Sequence, residues 1–148
     1  NDIRTNKLEV INNLKDSYFK YGLVIVEDVL NQSEINNLSQ IYNGISENRT
    51  SKNLNPFISH LMPHTWDKRI IKFAKLPSII NLVEIILGNK ADLLHSQITF
   101  KAPGDEGFSL HQDNYYNRAD PIDSMTAVWI AIDNAGGGLY GLREDTTP

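Results

Sequence analysis

The period of the apolar residues changes once along this 148-residue chain, and that change constrains the fold more than any other feature of it. Up to about residue 90, apolar side chains recur at three- and four-residue steps; after Asn89 they gather in short runs rich in Val, Ile and Thr. The first pattern is the stripe of amphipathic helices, the second that of strands. Helices first and strands later, without a βαβ alternation, predict an α+β chain whose helices cover one side of an antiparallel sheet. The length suits a single domain, 1–148, with a helical part over about 1–90 and a β part over about 91–148.

In detail, Leu8, Ile11, Leu14, Tyr18 and Tyr21 mark a first helix from Asn6 to Tyr21, stopped by Gly22. Leu23 to Val26 suits a buried strand. A second helix is expected to start from a Ser33 N-cap, to bury Ile35, Leu38, Ile41 and Tyr42, and to close at Gly44. Ser46 to Pro56, rich in Asn, Ser and charge, reads as an exposed loop. Trp66 to Lys75 and Ser78 to Leu87 read as consecutive helices, with Pro77 in a first turn and Gly88 as a stop. Leu93 to Phe100 and Ser124 to Ile132 read as strands, and Ala102 to Gly107 as a turn.

Composition narrows the function classes. A net charge of −4 without a basic cluster gives no footprint for nucleic acid or an anionic membrane surface. With no cysteine, disulfide scaffolds, zinc thiolate sites and thiol catalysis are excluded, so any metal must bind through His, Asp or Glu. The first twenty residues lack the apolar run of a secretory signal, and no stretch approaches the ~20 apolar residues of a membrane span. A soluble, cytoplasmic protein is the resulting expectation. The chain begins at Asn1 rather than Met, which suggests trimming upstream.

The segment Leu110-His111-Gln112-Asp113-Asn114-Tyr115-Tyr116 carries the chemistry. Residues two apart on an extended backbone point to one face, so the His111 imidazole and the Asp113 carboxylate can converge on one ion. Imidazole with carboxylate suits Fe(II), and two histidines plus one carboxylate on an octahedral face leave positions open for substrates. Taken alone, the same pair also fits the polar end of a surface strand. His95, two residues before Gln97, can share its face and approach the site, but a hydrogen-bonded structural histidine is the favoured reading. His60 and His64 are separated by Pro63, which spoils a helical pair, so only their loop position brings them near a pocket.

Three ordered segments supply context: His95 to Gly104, Leu110 to Tyr116, and Thr126-Ala127-Val128-Trp129-Ile130-Ala131-Ile132-Asp133. Together with Tyr21 to Leu30 and Pro77 to Gly88, they resemble the phytanoyl-CoA dioxygenase family over about residues 17–140. The resemblance implies a double-stranded β-helix, or jelly-roll, that holds one iron. It matches His111 and Asp113 to the family's first two metal ligands. It places Gln97 and Trp129 beside 2-oxoglutarate, although a core position for Trp129 and an outward polar position for Gln97 fit as well. The implied cofactors are Fe(II) and 2-oxoglutarate, and the implied partners are O2 and a small organic substrate. The implied reaction hydroxylates a C–H bond while 2-oxoglutarate becomes succinate and CO2.

The chain departs from the family pattern in one respect. A family member carries a second metal-binding histidine downstream of the Trp129 strand, with a basic residue after it that anchors 2-oxoglutarate, whereas no histidine follows His111 here. Gly136-Gly137-Gly138-Leu139-Tyr140 still resembles the family's next turn and strand, but Gly141 to Pro148 does not continue it, and Arg143 is not assigned the anchoring role. A jelly-roll needs about eight strands, and residues 91–148 offer about four. A truncated frame, sequence beyond residue 148, or a homo-oligomer completing the sheet would account for this. The competing readings are a non-catalytic metal-binding β-sandwich and a cupin-type enzyme that ignores 2-oxoglutarate.

Overall fold

A computed structural model of the chain describes residues 4–5, 7–52, 60–101, 104–106, 109 and 111–132, with side chains from residue 13 onward. A short β1 (Arg4–Thr5) precedes α1 (Lys7–Tyr21), which ends where Gly22 turns left-handed at φ 75° and returns its N–H to the Tyr18 carbonyl at 2.8 Å. Glycine makes that turn without a Cβ penalty. The chain then enters β2 (Ile25–Val26), paired in parallel with β1.

The second helix, α2 (Gln32–Ser51), is longer than its sequence pattern suggests. Its N-cap is Asn31 rather than Ser33. The Asn31 side chain accepts from the Glu34 N–H at 3.0 Å, while the Asn31 N–H donates to the Glu34 carboxylate at 2.8 Å. This reciprocal capping box satisfies two donors that a helix start otherwise leaves without partners. The helix also runs through Gly44 and takes in Ser46–Ser51, the first part of the expected loop. A glycine weakens a helix interior without ending it, and nothing here demands a left-handed backbone at Gly44. The remainder of that loop, residues 53–56, lies outside the described residues.

Next come β3 (His60–Leu61), a 3-10 turn over Pro63–Thr65, α3 (Lys68–Ala74) and α4 (Pro77–Leu87). Asp67 caps α3 by accepting from the Arg69 N–H at 2.9 Å. The helix therefore begins after Trp66 instead of at it. Pro77 opens α4, and Gly88 closes it at φ 68° with its N–H on the Glu84 carbonyl.

The principal core is where α1 meets α4: Leu14, 1% exposed, packs with Ile86, and Tyr18, Val24, Val26, Leu82 and Ile85 surround them. The partners of Leu14 at the start of the stripe, Leu8 and Ile11, have side chains outside the described set. A second contact joins α2 to the chain that follows β4 (Gln97–Ile98). There the Tyr42 hydroxyl donates to the Thr99 carbonyl at 2.5 Å and the Tyr42 and Phe100 rings lie 4.0 Å apart.

Helices beside small sheets make the chain α+β, as the change of period predicts. The described strands form two two-stranded sheets, β1 with β2 and β3 with β4, the latter antiparallel with His60 opposite Ile98 and Leu61 opposite Gln97. Of the expected strand over Leu93 to Phe100, the residues that pair with β3 among the described residues are Gln97 and Ile98. Ser124 ends a second 3-10 turn (Ile122–Ser124), and residues 125–132 make no ladder among the described residues. An extended segment without a neighbour to exchange N–H and C=O bonds is not a strand. The short α5 (Asp113–Asn117) has no counterpart in the sequence pattern. Parts of the expected turn at 102–107, together with Asp133, residues 136–140 and Arg143, lie outside the described residues. Among the described residues no helix is long and apolar enough to cross a membrane.

Candidate metal centre

His111 and Asp113 flank Gln112, which is extended (φ −108°, ψ 126°) and serves as the N-cap residue of α5. Asp113 is the first helical residue, so the pair sits at a strand-like step into a helix rather than along a strand. The single extended residue is enough to turn both side chains the same way. His111 Nε2 lies 3.4 Å from Asp113 Oδ1, and both side chains are open to solvent, 43% and 54% exposed.

The other ring nitrogen fixes the chemistry of the first. His111 Nδ1 is 2.7 Å from the Ser109 carbonyl. A carbonyl only accepts, so Nδ1 carries the proton, and in the neutral ring Nε2 is the lone-pair nitrogen facing the carboxylate. Two lone-pair donors turned toward each other suit a shared cation. Two cis ligands of an octahedral ion, with bonds of about 2.1 Å, are about 3.0 Å apart. The observed separation needs little adjustment to reach that value, so the donor set fits a hard or borderline divalent metal. The imidazole is flanked by the Tyr116 ring, edge-on at 6.1 Å, and Tyr116 in turn meets Tyr115 edge-on at 5.2 Å.

The remaining sequence candidates have other surroundings. Gln97, on β4, is exposed, and its amide donates to the Thr99 hydroxyl at 3.2 Å. Trp129 is 59% exposed, so it is not a core aromatic among the described residues. Among those residues no hydrogen bond, ion pair or ring contact joins either one to His111 or Asp113. His95 is exposed. His64 Nδ1 lies 2.6 Å from the Ser96 hydroxyl, whose oxygen also accepts from the His64 backbone N–H at 3.3 Å. His60 is packed edge-on between Trp66 and Phe100. Burial, helped by the Arg49 charge, holds its imidazole below the usual histidine range. These are packing and hydrogen-bonding roles. Among the described residues no three His, Asp or Glu side chains converge as a complete metal site, so the pair supplies two donors.

Sequence reasoning misses the Ser109 carbonyl and the Tyr116 ring. A backbone acceptor has no side-chain signature. The Tyr115-Tyr116 doublet next to His111 is the one visible hint.

The family model described as Phytanoyl-CoA dioxygenase (PhyH) matches residues 18–137, which include every element from the end of α1 to the far side of α5. The chain belongs to this family. Membership brings it into the Fe(II)/2-oxoglutarate-dependent oxygenase superfamily, whose members generally use both cofactors. A relative from Caenorhabditis elegans, the phytanoyl-CoA dioxygenase domain-containing protein 1 homolog, is 36% identical over 73 residues. That stretch is 49% of this chain and 25% of the relative, so the chain spans only a part of that protein's length. No solved structure gives a significant match.

Proposed function

We propose that this PhyH-family chain is the part of an Fe(II)/2-oxoglutarate-dependent dioxygenase that carries its first two metal ligands, and that it serves hydroxylation of a C–H bond in a small organic substrate. The observation that supports the reading best is the 3.4 Å approach of His111 Nε2 to Asp113 Oδ1, with the imidazole proton held on the opposite nitrogen by Ser109. His111 offers a neutral lone pair and Asp113 a negative charge. The jelly-roll architecture belongs to the same proposal, with the domain formed by residues 1–148 and whatever completes its sheet.

When bound, iron with 2-oxoglutarate and O2 supplies the oxidising chemistry, and 2-oxoglutarate leaves as succinate and CO2. The share of the chain's own residues is orientation. His111 and Asp113 would hold the ion through an imidazole nitrogen and a carboxylate oxygen, leaving its other positions for a third ligand and for cosubstrate. Gln97 and Trp129 are carried over from the family as residues beside 2-oxoglutarate, and the exposure of both side chains leaves them accessible to a ligand.

The test is an anaerobic Fe(II) titration of the parent chain and of His111→Ala, Asp113→Ala and His95→Ala. Loss of either proposed ligand is expected to weaken binding by more than about tenfold, with His95→Ala near the parent value. Equal affinity in all four would overturn the assignment. The cosubstrate half is tested by succinate release from 2-oxoglutarate under O2. Iron bound through His111 without any succinate would favour a non-catalytic metal-binding domain, a reading supported by there being only two converging donors among the described residues.

A further inference from the structure

We propose that Asn114 is a positioning residue for the His111/Asp113 pair, acting through a side-chain clamp that closes the loop after α5; this rests on the metal-ligand reading above. The Asn114 side chain takes both backbone groups of Ala119: its Oδ1 accepts from the Ala119 N–H at 2.6 Å, and its Nδ2 donates to the Ala119 carbonyl at 3.3 Å. One side chain that accepts from the N–H and donates to the C=O of the same residue reproduces the two-bond exchange of an antiparallel strand pair. Asn114 is half-buried while the residues on either side of it, Asp113 and Tyr115, are exposed.

The clamp matters because α5 cannot hold itself. It has five residues, far below the length at which a helix is stable without outside support. It also ends on Arg118 in the left-handed region, φ 53°, a conformation unfavourable for a residue with a Cβ. Two asparagines offset this. Asn117 donates from Nδ2 to the Asp113 carbonyl at 3.1 Å, and Asn114 joins the helix to the chain beyond Arg118. The Asp113 carboxylate makes no hydrogen bond to protein besides its approach to His111 among the described residues, so it points where the α5 backbone sends it. Tyr116, the ring that flanks the imidazole, rides on the same helix. Releasing the clamp therefore loosens the carboxylate and the imidazole's neighbour together.

The experiment compares the parent chain with Asn114→Ala, Asn114→Asp and His111→Ala, reading Fe(II) affinity and the thermal midpoint of the metal-free protein. Asn114→Ala is expected to weaken Fe(II) binding by about tenfold, the size of a lost supporting hydrogen bond behind a ligand. Its metal-free midpoint should stay close to the parent's, because the clamp lies outside the α1/α4 core. Asn114→Asp keeps the acceptor for the shorter bond and loses the donor; in high salt, where its added charge is screened, it is expected to restore part of the affinity. Parent-like affinity in Asn114→Ala, beside weakened binding in His111→Ala, would overturn this inference alone. Unchanged affinity in His111→Ala as well would instead overturn the metal-ligand reading beneath it. A fall in affinity matched by an equal fall in the metal-free midpoint would reduce Asn114 to a general stabiliser and also overturn the proposal.

Discussion

At the scale of single residues, the chain separates histidines that pack from the one that faces a carboxylate. His60 Nε2 is buried without a hydrogen-bond partner among the described residues, between Trp66 and Phe100. Burial and Arg49 lower its pKa from the usual 6.5, so the folded state keeps the ring neutral longer than the unfolded chain does. As pH falls, the unfolded chain takes up the proton first. The contribution of His60 is thus complete above about 6.5 and is lost as pH drops through the folded value. His60→Phe keeps the ring contacts and removes both the orphaned nitrogen and the titration. Urea unfolding should find this variant as stable as the parent or up to about 1 kcal/mol more so near neutrality. The gap should widen in its favour from about pH 7.5 to about pH 5.5. Parallel pH dependences would show that the ring charges as freely folded as unfolded.

At the scale of elements, what the sequence makes legible is what a local rule decides. Gly22 and Gly88 stop helices because each adopts positive φ directly after an apolar stripe ends. Gly44 does not stop α2, and the physical difference is that its backbone stays helical. A Cβ built there meets nothing within 4 Å, whereas one at Gly88 meets Lys15 Nζ at 2.9 Å on a left-handed backbone. Gly44→Ala is therefore expected to raise stability by about 0.5–1 kcal/mol. Gly88→Ala should lower it by about 1–2 kcal/mol. Asn31→Ala, which removes half of the capping box, should cost about 1 kcal/mol. Chemical denaturation of the three variants checks the order, and a destabilising Gly44→Ala would contradict the uninterrupted helix. Strands are less legible than helices because pairing is not local. Ser124 to Ile132 has the composition of a strand, but composition does not supply a neighbour. The approach of His111 to Asp113 is legible because its geometry needs one extended residue between the partners. Ser109 and the Asn114 clamp are not, because both act through backbone groups that sequence does not distinguish.

Across the whole molecule, the packed core and the proposed metal ligands occupy different regions. The buried side chains lie outside residues 111–132: Leu14 of α1 against Ile86 of α4, Ile41, Ile70 and Ile79 on other helices, Pro63 in the first 3-10 turn, and Phe100 after β4. The segment that carries His111 and Asp113 holds Tyr115, Tyr116, Ile122, Val128 and Trp129 exposed, and no residue of 111–132 is fully buried. It is tied to the core by a hydrogen bond from the Thr126 hydroxyl to the Tyr18 hydroxyl at 2.9 Å. Leu14→Ala should therefore cost roughly 2–5 kcal/mol, and Trp129→Ser no more than about 0.5 kcal/mol. Regions with few buried contacts open at lower free energy than the core, so amides of α5 should exchange well before those of α1 and α4. A ligand that binds only the closed form adds protection where it binds, by about 2.7 kcal/mol at a hundredfold excess over its dissociation constant. Saturating Fe(II) is accordingly expected to slow exchange around residues 111–117 while leaving the α1/α4 amides near their metal-free rates. Protection rising instead only along α1 and α4 would mean that the ion sits on the helical side, away from His111 and Asp113.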